Sequence, residues 1–224
     1  MVEPAPSLDE VLAKAAELQR LVPGSVLVGG SAAALHAGHR RSFDHDHVVA
    51  DLEVRFDSIL ENLEALGDWS LARARPGKII LGSLGGIETG IRQLLRARPL
   101  EAERVPIGDA ELVVPTEEEI LRIKAWLALS RNQTRDYLDI AALADHLGID
   151  RAAQVLASMD DYYDDLNRRP EAIVTQVVRQ LADPTPRDTR TTSELESYKG
   201  LAPRWHEWDE VRRVLGALAR RIVT

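Results

Sequence analysis

Val26-Leu27-Val28-Gly29-Gly30-Ser31, followed by Arg40-Arg41-Ser42-Phe43-Asp44-His45-Asp46-His47, is the stretch whose reading decides the fold. The run Ser25–Val28 reads as a short buried strand. Gly29-Gly30-Ser31 reads as a tight turn, and Ala32–Ala37 as a compact helix of small residues that ends at Gly38. A strand–glycine turn–helix unit aims backbone N–H groups and the positive end of a helix dipole at one point, a natural seat for phosphate. The plainer alternative is a turn in which glycine only supplies backbone freedom. Downstream, a strand through Asp44 and Asp46 has a side-chain period of two, so both carboxylates share a face and His45 and His47 take the other. Paired carboxylates repel unless a cation lies between them, and Mg²⁺ (or Mn²⁺) takes such a pair while leaving positions open for phosphate oxygens. A solvated acidic loop is the alternative for an isolated DxD. Histidines 36, 39, 45 and 47 raise a zinc site as an alternative, disfavoured because His45 and His47 face away from the aspartates.

Working outward, Leu8, Val11, Leu12, Ala15, Leu18 and Leu21 predict a helix, with Ser7 and Glu10 as its capping box and Pro23-Gly24 as its stop. Val48, Val49, Leu52, Val54 and Phe56 continue the alternation of the DxD strand, giving one or two strands before a helix over residues 58–66. Further strands are predicted at 70–74, 78–82, 86–93 and 111–114. Thr116 and Glu119 form a second capping box and open a helical half: 120–129, 134–146, 151–164, 170–181 and 205–222, with the polar stretch 183–192 as a connector. The predicted fold class is α+β: a mixed sheet with flanking helices over residues 1–114, then a helical bundle over 115–224.

Composition bounds the function classes. The 224 residues hold no cysteine, which excludes disulfides and thiolate chemistry. A formal charge of −8 argues against a sequence-blind nucleic-acid coat. The basic segment Arg92–Arg104 and a stripe formed by Lys124, Ala128, Arg131 and Arg135, if that helix is continuous, remain as local cationic surfaces. No stretch approaches the roughly 20 apolar residues that span a bilayer. The acidic start MVEPAPSLDE lacks the character of a signal peptide, so a cytoplasmic address is expected.

The run GGSAAALHAGHRRSFDHD, followed downstream by EEEILRIKAWLALSRNQTRDYLDIAAL, resembles the AbiEii/AbiGii family of bacterial nucleotidyltransferase toxins, within the DNA polymerase β-like nucleotidyltransferase superfamily. The resemblance covers residues 25–147. It implies a polymerase-β-like sheet domain and a helical domain whose Lys124 and Asp139 complete a shared cleft. The family pattern of glycine-serine turn, DxD pair, helical lysine and RDxxD aspartate falls on Gly30 and Ser31, Asp44 and Asp46, Lys124, and Asp139. The implied reaction transfers a nucleotide from a nucleoside triphosphate to a hydroxyl, with Asp44 and Asp46 on Mg²⁺. Gly29, Gly30 and Ser31 hold the phosphates, Lys124 neutralises charge, Asp139 orients Lys124 or the nucleotide, and Arg41 and Arg131 are further nucleotide contacts. Relatives modify the 3′ end of transfer RNA and are restrained by an antitoxin. The sequence departs from the superfamily in its third metal carboxylate, for which Glu88 is the candidate. The same chemistry on a small or protein hydroxyl, or a non-catalytic regulator with this fold, are the competing readings.

Overall fold

The computed structural model describes residues 5–224; residues 1–4, part of the acidic start, lie outside the described residues. The chain divides into two units, one of residues up to Ala32 with Arg41–Thr116, the other Ala33–Arg40 with Glu117–Thr224. The division thus falls at 116/117 rather than at 114/115, and a short N-terminal segment belongs with the helical half.

In the first unit, α1 (Leu8–Leu21) is capped as expected. The Glu10 amide donates to the Ser7 hydroxyl, and the Glu10 carboxylate accepts from the Ser7 amide. Then follow β1 (Val26–Val28), α2 (Gly29–Ala37, which starts three residues earlier than expected and whose residues from Ala33 on belong to the second unit), β2 (Asp44–Val49) and α3 (Leu52–Glu64), with β3 (Trp69–Arg75), β4 (Ile79–Leu84) and β5 (Ile87–Gln93). The five strands form a mixed sheet in the order β1-β2-β5-β4-β3, in which β2 and β5 are parallel and the other pairs antiparallel. A separate hairpin is made by β6 (Ala102–Ile107) and β7 (Ala110–Pro115). It is tied to α1 by Gln19, whose amide donates to the Val113 carbonyl and accepts from the Val113 amide, both at 2.7 Å.

Two expectations fail here for identifiable reasons. The alternation through Leu52, Val54 and Phe56 is not a strand: α3 begins at Leu52, and Leu52, Phe56, Ile59 and Leu63 lie buried at helical spacing while Val54 is 87% exposed. These four join Leu18, Val49, Ile80, Leu84 and Ile91 in the core of the unit. Strand β6 was not anticipated, because its charged, Pro106-containing sequence buries almost nothing.

The second unit is helical: α4 (Glu117–Arg131), α5 (Thr134–Leu147), α6 (Ile149–Ala157), α7 (Met159–Tyr163), α8 (Ile173–Ala182), α9 (Thr189–Ser193) and α10 (Trp208–Ile222). Helix α10 buries Val211, Val214, Leu215 and Leu218 and packs against α5, α6 and α8. Trp205 precedes it, buried in a 3₁₀ turn, and Trp208 meets the Tyr137 ring edge-on at 6.0 Å. Both tryptophans therefore serve packing. The continuous cationic stripe does not exist. Asn132 takes a left-handed φ of 51° and Gln133 is extended, so the helix breaks between Arg131 and Thr134. No helix among the described residues is long and apolar enough to cross a membrane.

Candidate functional site

In the first unit the chemistry lies on one face of β2. Burial alternates as expected: Asp44, Asp46 and Val48 are half-buried on one side, and His45, His47 and Val49 are buried on the other. Strand β5 lies parallel beside it, pairing Asp44 with Glu88, Asp46 with Gly90 and Val48 with Arg92.

Two glycines make the space for Asp46. A Cβ added at Gly90 would stand 2.2 Å from Asp46 Oδ1, closer than any real contact. Gly29, which has φ +76°, would put a Cβ 3.3 Å from Asp46 Oδ2. Arg92 Nε lies 3.5 Å from Asp46 Oδ1, with both side chains part-exposed. Asp44 is held differently. Its side chain accepts from the Ser42 hydroxyl at 3.0 Å, and its backbone carbonyl accepts from the Ser31 hydroxyl. Ser31 is fully buried, so its side chain fixes the start of β2, and only the backbone of Gly29-Gly30-Ser31 faces the task expected of that turn.

The opposite face explains the histidines. The Thr89 hydroxyl donates to the Ile87 carbonyl at 3.0 Å and so accepts from His45 Nε2 at 3.0 Å. His45 Nδ1 then accepts from His47 Nε2 at 3.1 Å. His47 Nδ1 ends this chain, buried and without a hydrogen-bond partner among the described residues. Burial pushes His45 down to about 4 and His47 well below its ordinary value, so both imidazoles are neutral near pH 7. Among the described residues no three His, Asp or Glu side chains converge to hold a metal. Glu88 stands beside Asp44 in the register, on the exposed side, and is not brought into a three-ligand group.

Asp44 and Asp46 fit a hard divalent cation. They are oxygen donors on one face, cleared of side-chain bulk by Gly29 and Gly90, and Mg²⁺ needs only one or two protein carboxylates beside substrate phosphates. Arg41 is exposed, and the ion pair of Asp46 is with Arg92.

The second unit holds a different cluster. Asp139 is fully buried and accepts from His39 Nε2 at 2.7 Å and from Arg40 Nε and Nη2 at 2.8 and 3.0 Å. Lys124 Nζ lies 2.6 Å from its other oxygen. Burial by itself would raise the Asp139 carboxyl, but the Arg40 and Lys124 charges and the His39 bond hold it well below the carboxylate range. Burial keeps His39 neutral, against the pull of Asp139. The cluster is therefore two cations around one carboxylate. Arg131 makes a bidentate pair with buried Asp136 at 2.6 Å, a structural clamp across the α4–α5 break. Beyond Arg92, the arginines of the basic segment have local partners. Arg96 is buried on the carbonyls of Arg98 and Pro99, Arg98 pairs with Glu101 and Arg104 with Glu111. Sequence reasoning missed His39, Arg40, Gly90 and Arg92. Only the Arg40–Arg41 doublet before the DxD offered a signal.

No family model matches the sequence. The chain is 40% identical over 136 residues to the heme uptake protein MmpL11 of Mycobacterium tuberculosis, a match covering 58% of this chain and 13% of that protein. It is 44% identical over 95 residues to the mycolic acid-containing lipids exporter MmpL11 of Mycolicibacterium smegmatis, covering 42% of this chain and 10% of that protein. The chain thus spans a small fraction of the curated relatives it matches. Among solved structures, it is similar to an antigenic nucleotidyltransferase-like protein from Paracoccidioides brasiliensis (TM-score 0.47, 15% identity, 76% of this chain and 92% of that one). A provisionally assigned nucleotidyltransferase from H. pylori aligns at TM-score 0.50 and 18% identity, covering 96% of this chain and 92% of that one. The chain has the mixed α+β fold of nucleotidyltransferase-like proteins.

Proposed function

We propose that the chain is a divalent-cation-dependent nucleotidyltransferase that moves a nucleoside monophosphate from a nucleoside triphosphate to an RNA hydroxyl, the 3′ acceptor end of transfer RNA foremost. In this reading it acts in the cytoplasm, blocks translation as a toxin and is restrained by a cognate antitoxin protein. The observation that carries the chemistry is the Asp44–Asp46 face beside the Gly29–Gly30 turn, kept open by Gly90. The acceptor and the toxin role rest on the resemblance of the two sequence blocks.

Mg²⁺ or Mn²⁺ held by Asp44 and Asp46 would supply charge neutralisation at the α-phosphate. The residues of the chain do the rest. The backbone at the start of α2 receives phosphate oxygens, and Ser31 and Ser42 fix Asp44 so that its carboxylate needs no reorganisation. The acceptor oxygen bonds to the α-phosphorus, the bond to the bridging oxygen breaks, and pyrophosphate leaves. The hydroxyl proton passes to a carboxylate or to water. Within the second unit, buried Asp139 pairs with Lys124 and Arg40.

A second reading, the same transfer to a small-molecule or protein hydroxyl, is favoured by one observation. Several of the cations expected to carry RNA are engaged within the chain: Arg131 by Asp136, Arg96 by backbone carbonyls, and Arg104 by Glu111 in an exposed pair. Incubation with Mg²⁺, total transfer RNA and each α-³²P-labelled nucleoside triphosphate separates the readings. Label on RNA, lost in Asp44→Asn/Asp46→Asn, is the expected result. Label on protein moves the acceptor to a side chain, and no label from any nucleotide on either acceptor contradicts the proposal.

A further inference from the structure

Arg92 was read from sequence only as one of several basic residues, yet its position is particular. It lies two residues after Gly90 on β5, and the register sets it beside Val48, so it shares the face of Asp44 and Asp46. From there it leans back across Gly90 to reach Asp46 Oδ1. Gly90 is what permits this, because a Cβ there would stand 2.2 Å from the same oxygen.

The contact is loose. Charge-assisted N–H···O bonds run at about 2.7–2.9 Å, and the pairs of the second unit are that short or shorter, with Arg40 at 2.8 Å on buried Asp139 and part-exposed Arg131 at 2.6 Å on buried Asp136. Arg92 stands at 3.5 Å, and its side chain and that of Asp46 are 46% and 32% exposed. Solvent-exposed pairs of this kind are weak. The oxygen that Arg92 touches is one that a bound cation would need, so guanidinium and cation compete for it. A guanidinium displaced from a carboxylate keeps a planar fork that matches phosphate oxygens.

Building on the cation reading of the Asp44–Asp46 face, we propose that Arg92 is an exchangeable counter-cation: it sits on Asp46 until a divalent cation arrives, then turns to the triphosphate. The proposal makes an unusual demand, because removing Arg92 must act with opposite signs on two ligands.

The test is Mn²⁺ binding without nucleotide, read from the electron paramagnetic resonance of the free ion, on wild type, Arg92→Gln, Arg92→Lys and Asp46→Asn. It is followed by nucleoside triphosphate binding at saturating Mn²⁺. Arg92→Gln is expected to bind Mn²⁺ about two- to five-fold more tightly, the scale of a solvent-screened pair. The same variant should bind triphosphate about ten-fold more weakly, the scale of a lost charge-assisted bond. Arg92→Lys should keep wild-type Mn²⁺ affinity and recover part of the triphosphate affinity. Thermal denaturation of Arg92→Gln should match wild type. If Asp46→Asn loses Mn²⁺ but Arg92→Gln binds it no more tightly, or triphosphate no more weakly, the Arg92 proposal falls while the cation reading stands. If wild type takes up no Mn²⁺, or Asp46→Asn as much as wild type, the cation reading falls and the role of Arg92 with it.

Discussion

Two sets of aspartates in this molecule live under opposite conditions. In the second unit Asp139 is fully buried, and Arg40, Lys124 and His39 surround it at 2.6–3.0 Å. In the first unit Asp44 and Asp46 are half-buried neighbours on one strand face, and Asp46 pairs with Arg92 at 3.5 Å. The first arrangement has more positive than negative charge and little room for anything else on the carboxylate. In the second, the contact of Asp46 with Arg92 is long and part-exposed. A carboxylate whose oxygens are saturated by its own chain holds structure, and one left under-neutralised is available for chemistry. The difference predicts which substitutions should damage stability and which should damage binding.

The largest effect should come from Asp139→Ala, which leaves Arg40 and Lys124 buried without their anion. A loss of about 3–5 kcal/mol is expected, measured by urea denaturation. Wild-type stability in that variant would show that the cluster does not hold the second unit.

Acid should come next. His45 is held down to about 4 from an ordinary 6.5 by burial. Between those values the unfolded chain takes up a proton that the folded chain refuses. Stability is therefore full above pH 6.5 and lost progressively as pH falls towards 4, by roughly 3 kcal/mol for this residue. The neutral, buried His47 and His39 act in the same direction. Denaturant midpoints that stay flat between pH 7 and 5 would show that the imidazoles are not buried in neutral form.

Gly90→Ala should cost less stability, about 1–2 kcal/mol for an overpacked contact that a flexible carboxylate relieves. It should weaken divalent-cation binding disproportionately, because Asp46 is the group that must move. Cation titration of the folded variant checks this, and unaltered affinity would mean that the glycine cradle is incidental.

The smallest stability effect belongs to Asp44→Asn/Asp46→Asn. Removing two repelling charges from a part-exposed face should leave stability within about 0.5 kcal/mol or raise it.

The comparison also marks how far the sequence could be read. Local chemistry is legible: the Ser7/Glu10 capping box, and the period of two that sets Asp44 and Asp46 opposite His45 and His47, whereas the Gly29-Gly30-Ser31 turn proves to be the start of α2 itself. Each depends on residues within a few positions of one another. What depended on distant partners was not. The pairing of Arg40 with Asp139 joins positions 99 residues apart. The need for glycine at position 90 exists only because β5 lies parallel to β2 in a particular register. The break at Asn132 carries no proline or glycine, so a cationic stripe was read across it. Leu52, Val54 and Phe56 satisfy a two-residue alternation and, through Leu52 and Phe56, a helical spacing as well; burial against the sheet decides for the helix.

The most direct test of the account is thermal denaturation of wild type and Asp44→Asn/Asp46→Asn with and without Mn²⁺. At a cation concentration of roughly 100 times the dissociation constant, binding should stabilise wild type by about 2.7 kcal/mol and raise its Tm accordingly. The account predicts that shift in wild type and none in the variant, whose Tm without metal is at least close to that of wild type. Equal shifts in both proteins, or none in either, would contradict the claim that the Asp44–Asp46 face is a cation site.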